Sequence, residues 1–529
     1  MNCSKNIIEN HIKLIISMIG KSANVYLIFS ILILVFSQCS EKADNLPDTP
    51  DPSGVEITPN PGMDLYGYIS DTSGIPVKDV VVSDGYTCTV TNASGIYQMK
   101  KATGAGFVFY STPAGYVVNT KSESVKMALF YAETGAVKRH DFTLKKLSTV
   151  ETNFTLLCIG DPQVTSTAEI GRFETETMAD MKAFTGSSTK PCYALAMGDM
   201  AGDKPALFDQ MKTVIGSANM PVFTTIGNHD KVATSNANDP RTSDTFNKVF
   251  GPVNYSFNRG EVHFVCLDNV VYSNSSTYTG GFSQSQIDWL KQDLSYIPKN
   301  KMIVLFYHIP IRNPASTNNG IQLLNTLVDY AEVHLMCGHT HYAENYQNTV
   351  PLTTYEHIHA AACGAWWHST INGDGAPNGY AVYDISGAKI TNWYYKPTKL
   401  SKDFQIRLHK GNVIFGGVYG SFSFNQPEKT IVANVWNADS SWKIEAYEDG
   451  IKVANLTPLP TFLKDAWSLG YHIGILNRDP DNYSTSCKHL YLHTVVNPNA
   501  ALEIRATDEF GNVYRQNQII TDFLTAESY

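Results

Sequence analysis

Five short apolar segments, each ended by a polar side chain that can bind metal, constrain the fold of this chain more than any other feature. The segments cover residues 156–160, 193–198, 221–226, 302–307 and 333–338. A run of this length that is apolar throughout is typical of a strand buried on both faces of a sheet. Because ligands in open α/β sheets collect at the carboxyl ends of the strands, we expect the five ends to converge on one site.

The polar residues at these ends are carboxylates, imidazoles and amides, which are the side chains that most often hold divalent metals. They follow the five segments in chain order, as Asp161 and Gln163, Asp199 and Asp203, Asn228, His229 and Asp230, then His308, then His339 and His341.

Helical periodicity separates the apolar segments and predicts helices over residues 168–184, 204–215, 283–294 and 321–330. Strands that alternate with helices predict a layered α/β domain, which we place at residues 149–398. The flanking segments, 63–148 and 399–529, instead show short alternating apolar and polar runs between Gly, Asp and Asn turns, so each is predicted to be an all-β domain. About three domains is also the expectation for a chain of 529 residues.

The N-terminal residues predict export. Residues 23–36 form an apolar run of the length of a signal-peptide core, too short for a spanning helix, and Lys21 precedes it. The sequence from Phe36 to Ser40 resembles a bacterial lipoprotein signal in which Cys39 becomes the lipidated residue. We therefore interpret residues 1–39 as a signal segment and 40–62 as a flexible tether. The protein is expected to be a cell-envelope lipoprotein, in the periplasm or on the outer-membrane surface and held to the membrane by its lipid; an uncleaved N-terminal anchor is the alternative.

Net charge and cysteine spacing argue against a nucleic-acid-binding protein and against a fold built on disulfides. A net charge of −9 and the lack of a basic stripe argue against nucleic-acid binding, which depends on clustered Lys and Arg. The nine cysteines form no Cys-x-x-Cys pair, and most lie in apolar strand-like runs. We expect them to be buried thiols rather than a disulfide framework.

Taken together, the motifs Asp161-x-Gln163, Gly198-Asp199-x-x-x-Asp203, Gly227-Asn228-His229-Asp230, lone His308 and Gly338-His339-x-His341 resemble the calcineurin-like metallophosphoesterases. The resemblance covers about 245 residues. It implies a central four-layer α/β/β/α sandwich that hydrolyses phosphate esters by attack of a metal-bridging hydroxide at a dinuclear site. The N-terminal domain resembles a carboxypeptidase-regulatory-like β-sandwich, and the whole resembles a three-domain exported bacterial branch of the family.

The same resemblance assigns roles to the individual residues. Asp199 would bridge two divalent metal ions, with Asp161, Gln163 and His341 on one ion, and Asn228, His308 and His339 on the other. His229 would contact the phosphate and protonate the leaving oxygen, while Asp230 would fix its tautomer. Asp203 is expected to hold a loop or a ligand histidine.

Gln163 departs from the family pattern, which has histidine at this position. An amide oxygen is a hard, neutral ligand, so it would favour manganese, magnesium or iron over zinc and weaken metal binding. Loss of metal and of activity is the alternative interpretation.

The substrate is the least determined part of the prediction. Asn228 and His229 would bind the phosphate, Trp366 and Trp367 are candidates for a stacking wall, and Arg241 is a candidate for a second anionic group. Core packing for the tryptophans and a solvated loop position for Arg241 are the alternatives. Export and a stacking wall favour a phosphodiester substrate, such as a small-molecule, lipid or glycan phosphoester. A phosphate-scavenging phosphomonoesterase and a catalytically weak glycan-binding lipoprotein are the other two hypotheses.

Overall fold

The computed structural model describes residues 54–234, 236, 239–411, 429–459, 463–479, 485–521 and 527–529. Residues Ile57–Tyr529 form one compact unit. The predicted signal segment, including Cys39, lies outside the described residues. Within the described part, no helix is long and apolar enough to cross a bilayer.

The N-terminal segment folds into two small sheets. The strands are β1 (Leu65–Asp71), β2 (Val81–Ser83), β3 (Cys88–Val90), β4 (Ile96–Met99), β5 (Phe107–Tyr110), β6 (Tyr131–Glu133) and β7 (Phe142–Leu144). The three-stranded sheet has the order β4-β1-β7 and the four-stranded sheet has the order β3-β2-β5-β6.

The central segment contains thirteen strands. They are β8 (Asn153–Ile159), β9 (Cys192–Ala196), β10 (Val222–Thr224), β11 (Tyr255–Arg259), β12 (Val262–Cys266), β13 (Val270–Tyr272), β14 (Tyr278–Gly280), β15 (Met302–Phe306), β16 (Glu332–Cys337), β17 (Glu344–Asn348), β18 (Thr354–Ile358), β19 (Gly379–Ser386) and β20 (Lys389–Pro397). Eleven of them form two sheets, ordered β10-β9-β8-β19-β20 and β11-β12-β15-β16-β18-β17, and β13 pairs with β14 as a separate hairpin.

Helices cover the outer faces of these two sheets. They are α1 (Thr167–Phe173), α2 (Ala179–Ser187), α3 (Phe208–Gly216), α4 (Asp244–Phe250), α5 (Gln284–Leu294) and α6 (Gly320–Asn325). The single helix predicted over 168–184 is interrupted by a π-helical turn at Glu174–Met178, between α1 and α2. Helix α5 begins with a capping box, in which the Ser283 side chain accepts from the Gln286 backbone and Gln286 accepts from Ser283.

Side chains along β8 show why the predicted strand is apolar throughout. Leu156 and Cys158 point into the core shared with the second sheet, whereas Leu157 and Ile159 point into the core shared with helices α1 to α4. Successive residues of a strand face opposite sides, so a strand between two apolar layers needs apolar residues at every position. The predicted four-layer fold with flanking all-β domains is therefore confirmed.

The C-terminal segment forms two further four-stranded sheets. Their strands are β21 (Ile406–Lys410), β22 (Thr430–Val435), β23 (Lys443–Glu448), β24 (Ile451–Leu456), β25 (Leu490–Thr494), β26 (Leu502–Thr507), β27 (Val513–Gln516) and β28 (Ile519–Ile520), and a short helix α7 (Ala466–Leu469) precedes β25. The sheet orders are β25-β22-β21-β28 and β24-β23-β26-β27. Every described sheet takes its strands from one of the three predicted domains; the exact domain boundaries stay predictions.

The described cysteines are all free thiols, and five of these seven are buried. This agrees with the expectation that they pack as small apolar side chains; Cys3 and Cys39 lie outside the described residues.

Candidate metal centre

The predicted ligands meet at the carboxyl ends of parallel strands. Strands β8, β9 and β10 pair in parallel, and so do β12, β15 and β16 in the second sheet. Two ligand groups result, Asp161 with Asp199 and His341, and Asp199 with His308 and His339, and the ligand atoms within each group lie within 4.8 Å of one another. Asp199 belongs to both groups, as expected of a bridging carboxylate.

The first group contains several buried polar atoms that lack a hydrogen bond. Among the described residues, Asp199 Oδ2, His341 Nε2 and Gln163 Oε1 are buried without a hydrogen-bond partner. His341 Nε2 lies 3.5 Å from Asp161 Oδ1. A buried lone pair without a partner is costly, and a cation bound to the first group would satisfy Asp199 Oδ2 and His341 Nε2. The Gln163 backbone N–H donates to the Asp199 carbonyl oxygen at 2.8 Å, which holds Gln163 next to this group. The residues therefore fit a divalent metal, and Gln163 offers its oxygen where the family usually has an imidazole.

The second group converges on the amide oxygen of Asn228. Asn228 Oδ1 lies 3.0 Å from His308 Nε2 and 2.9 Å from His339 Nδ1. His308 Nδ1 lies 2.7 Å from the carbonyl oxygen of Met197. That carbonyl accepts the Nδ1 hydrogen, which leaves Nε2 as the metal-binding nitrogen.

Charge within the site affects both histidines of this group. Burial acts to lower the pKa of His308, but the neighbouring Asp199 carboxylate outweighs it and raises the pKa to about 9. Burial and the nearby His308 lower the pKa of His339 to about 4. The Asp199 carboxylate has a pKa well below its usual range, because the attraction of His308 exceeds the effect of burial. The Asp199 carboxylate thus favours positive charge on its neighbours, which is the electrostatic setting that a divalent cation needs.

The backbone at the ligands is strained. Positive φ angles occur at Asp161 (34°), Gln163 (43°), Asp199 (51°), His339 (73°) and His341 (59°). Such conformations are uncommon for residues with a side chain, and they persist where the surroundings enforce them, typically at functional sites. Five of the predicted ligands are therefore held by tight turns at the strand ends.

Two glycines next to ligands permit the close packing of these turns. A Cβ atom at Gly227 would lie 2.0 Å from Asp199 Oδ1, and one at Gly338 would lie 2.3 Å from Asp161 Oδ2. Any larger residue would displace the carboxylates, which explains why glycine stands at both positions.

His229 lies at the edge of the two groups and is about one quarter exposed. Its backbone N–H donates to Asp199 Oδ1 at 2.8 Å, and its Nδ1 lies 2.9 Å from Asp203 Oδ2. Asp203 thus holds the ring of a histidine outside both ligand groups, rather than the loop or ligand histidine that we predicted for it.

The prediction that Asp230 fixes the tautomer of His229 is wrong. The Asp230 carboxylate is buried and accepts hydrogen bonds from the backbone N–H groups of Met200 at 2.8 Å and Gly227 at 3.0 Å. Burial and the nearby Asp199 raise the pKa of Asp230 to about 7. Asp230 therefore joins the loop after β9 to the loop after β10, and Asp203 takes the orienting position.

The two tryptophans have different environments. Trp366 is 38% exposed, and its ring centroid lies 4.7 Å from that of His341 and 6.2 Å from that of His229. Trp367 is buried and donates from Nε1 to the His341 carbonyl oxygen at 3.1 Å. Trp366 thus lines the site, whereas Trp367 packs inside the protein and holds the backbone of the loop that carries His341.

Arg241 lies away from the ligands. Its guanidinium pairs with Asp239 at 2.6 Å, and the side chain lines a cavity beside Lys231 and Asp84 of the N-terminal domain. None of the predicted metal ligands lines this cavity. Among the described residues, Arg241 therefore pairs with Asp239 and not with a predicted metal ligand, and its binding of a second anionic group of the substrate stays a prediction.

Sequence reasoning missed two tyrosines of the hairpin β13–β14. Tyr272 donates from its hydroxyl to the Asn228 carbonyl oxygen at 3.0 Å, and the Tyr278 ring centroid lies 5.9 Å from that of His339. In the sequence, these two tyrosines stand on either side of a short polar turn. Many β-hairpins that bind no ligand have the same pattern, so it does not identify a site.

Comparisons with known families agree with this geometry. The chain matches the model for calcineurin-like phosphoesterase over residues 145–343, and those for the N terminal and the C terminal of calcineurin-like phosphoesterase over 63–147 and 356–514. A search of curated proteins finds no match to the chain.

Two solved structures are among those similar to the chain. A dimetal phosphatase from Danio rerio is 14% identical, with 46% of this chain and 96% of that chain covered and a TM-score of 0.32. A 5'-nucleotidase precursor from Thermus thermophilus is 10% identical, with 69% of this chain and 88% of that chain covered and a TM-score of 0.29.

The three family matches follow one another along the chain with little overlap. The catalytic match includes all seven predicted metal ligands from Asp161 to His341, among them Asp199, which both ligand groups share. The chain therefore belongs to the calcineurin-like phosphoesterase family and is a metal-dependent phosphoesterase with N-terminal, catalytic and C-terminal family domains.

Proposed function

We propose that the protein hydrolyses phosphodiesters carrying a sizeable organic group, at a centre of two divalent metal ions. The observation that carries the proposal is the position of Trp366. Its ring is 38% exposed and lies beside both His341 of the first ligand group and His229. An exposed aromatic face beside the reacting centre offers stacking to an organic group, which a simple phosphate monoester of a small alcohol would leave unused.

The seven predicted ligands would bind two divalent metal ions, one at each ligand group. When bound, two divalent ions supply charge that stabilises the attacking and departing oxygens in an in-line displacement at phosphorus. Asp161, Gln163, Asp199 and His341 would hold one ion, and Asp199, Asn228, His308 and His339 the other. The hard oxygen donor of Gln163 favours manganese, iron or magnesium over zinc.

His229 is placed to act on the leaving group. Asp203 accepts the hydrogen of Nδ1, so Nε2 is directed away from Asp203. As the bond between phosphorus and the leaving oxygen breaks, a proton on Nε2 can pass to that oxygen, while the oxygen of water forms the new bond to phosphorus. The products are the released alcohol and a phosphomonoester.

A comparison of two chromogenic substrates tests the proposal. With manganese present, we expect a higher kcat/KM for bis(p-nitrophenyl) phosphate than for p-nitrophenyl phosphate, since both release the same chromophore. Trp366→Ala should lower kcat/KM for both substrates, since both carry the p-nitrophenyl leaving group that Trp366 would contact, and Tyr296→Ala, which removes an exposed tyrosine of the catalytic domain, serves as the matched control. A clear preference of the wild type for the monoester would instead identify a phosphomonoesterase, and no turnover of either ester would favour a glycan-binding lipoprotein.

We further infer that the protein is exported and anchored by lipid at Cys39. The support is the apolar run at 23–36 followed by Cys39 in a lipoprotein-like setting. Cys39→Ser should yield a form that no longer partitions with membranes in detergent phase separation. Unchanged partitioning of Cys39→Ser would favour an uncleaved N-terminal anchor.

A further inference from the structure

The hairpin β13–β14 is built firmly into the edge of the metal centre. Its tyrosines, Tyr272 and Tyr278, are directly paired across the two strands, with ring centroids 5.3 Å apart. Asn274 closes the turn by accepting hydrogen bonds from the backbone N–H groups of Ser276 and Thr277, each at 2.9 Å. The hairpin is thus a defined element with an aromatic pair on one face.

Contacts at its base fix the hairpin to ligand loops. Lys231 donates to the carbonyl oxygen of Val270 at 2.7 Å, and the Tyr272 hydroxyl donates to the Asn228 carbonyl oxygen. A Cβ atom at Gly280 would lie 2.9 Å from Ile309, the residue after His308. The hairpin therefore touches the loops that carry Asn228 and His308, both of the second ligand group.

Tyr278 is the residue of the hairpin that remains available to a ligand. Its side chain is half-buried, its ring stands edge-on to the His339 ring, and its hydroxyl makes no hydrogen bond to any described residue. A tyrosine side chain at this position offers an apolar ring face beside the centre.

Trp366 and Tyr278 stand beside different ligand groups. Trp366 is next to His341 of the first group and next to His229, and Tyr278 is next to His339 of the second group. A phosphodiester has two organic groups, one that leaves and one that is retained on phosphorus. If His229 protonates the leaving oxygen, as proposed above, the leaving group would lie on the side of Trp366.

We propose that Tyr278 contacts the retained organic group of the diester and makes the enzyme prefer a retained group with a flat ring, such as an aryl or nucleoside ester. This inference rests on the proposed phosphodiesterase function. Stacking of a base or aryl ring on an aromatic side chain is worth about tenfold or more in binding, and it depends on the ring rather than on the hydroxyl.

A substrate series with a constant leaving group tests this. Methyl p-nitrophenyl phosphate and phenyl p-nitrophenyl phosphate differ only in the retained group, and the enzyme with manganese is assayed on both. In the wild type we expect a higher kcat/KM for the phenyl ester. Tyr278→Ala should lower the phenyl-to-methyl ratio of kcat/KM by roughly tenfold. Tyr278→Phe should keep the ratio, since it keeps the ring.

Matched variants separate the possible outcomes. Trp366→Ala should lower kcat/KM for both esters by a similar factor, since both carry the same leaving group, and Tyr296→Ala should change neither. An unchanged ratio in Tyr278→Ala, or loss of the ratio in Tyr278→Phe, overturns the inference. A wild type that prefers the monoester overturns the proposed function itself, which is a separate result read from the wild type alone.

Discussion

His229 Nδ1 lies 2.9 Å from Asp203 Oδ2, and this contact joins the loop after β9 to the loop after β10 at the edge of the metal centre. Asp203 has a positive φ of 53°, so its backbone lies in a tight turn, and its largely exposed carboxylate contacts the His229 ring. The pair gives a ring outside both ligand groups a fixed direction. Loss of this contact should affect catalysis but not metal binding, and the two effects can be measured separately.

Asp203→Asn should lower kcat and leave metal binding unchanged. The His229 ring would lose its carboxylate partner, and we expect a loss of about tenfold or more, bounded by the roughly 10² to 10⁴ for removal of a general acid in His229→Ala. Measurements of kcat and of bound manganese by elemental analysis would check this. Asp209→Asn, an exposed carboxylate of helix α3, is the control.

The double variant Asp203→Asn with His229→Ala makes the test sharper. If Asp203 acts through His229, the double variant should be no slower than His229→Ala alone. Additive losses, or loss of metal in His229→Ala, would show that the roles assigned to these residues are wrong.

Gln163 should tune metal affinity and metal choice. Its buried Oε1 has no hydrogen-bond partner among the described residues, so Gln163→Ala should weaken manganese binding by about tenfold, as measured by competition with a chelator. Gln163→His should bind zinc more tightly than the wild type does, because imidazole suits zinc. Equal affinities in all three proteins would exclude Gln163 as a ligand.

The stability of the fold should fall in mild acid, in part through His359. Burial lowers the pKa of His359 to about 4, whereas an unfolded histidine has a pKa near 6.5. Between about pH 6.5 and 4 the unfolded state therefore takes up a proton that the folded state does not. The contribution is fully present above about pH 6.5 and is lost as the pH falls toward 4, by roughly 3 kcal/mol at most.

Denaturant unfolding at pH 7.5 and pH 5 would measure this contribution. His359→Asn should lose less stability between the two pH values than the wild type does. A variant that loses as much stability as the wild type would show that His359 is protonated equally in both states.

Much of this site could be predicted from the sequence because the ligands follow apolar strands directly. A residue such as Asp199 or His308 is placed by the strand before it, and parallel strands bring their carboxyl ends together. The partner of His229 could not be predicted in the same way. Asp230 is its neighbour in sequence, but the turn directs Asp230 into the protein, and Asp203 arrives from a different strand end.

Side chains on loops and hairpins were harder to predict for the same reason. Trp366 and Trp367 are adjacent and chemically identical, and only the packing of the loop decides that one is exposed and the other buried. Tyr278 lies on a hairpin whose sequence resembles any short β-turn-β segment. Its position beside His339 depends on contacts between the hairpin base and distant loops, which no local pattern records.

The central claim is that Asp199 is shared by two metal ions, and metal stoichiometry tests it most directly. Each protein is saturated with manganese, desalted, and assayed for bound metal and for hydrolysis of bis(p-nitrophenyl) phosphate. We predict about two ions per chain in the wild type, about one in Asp161→Asn, and neither stable metal binding nor turnover in Asp199→Asn, because the two cations would then repel without a shared carboxylate. Two retained ions and near-normal turnover in Asp199→Asn would contradict the account.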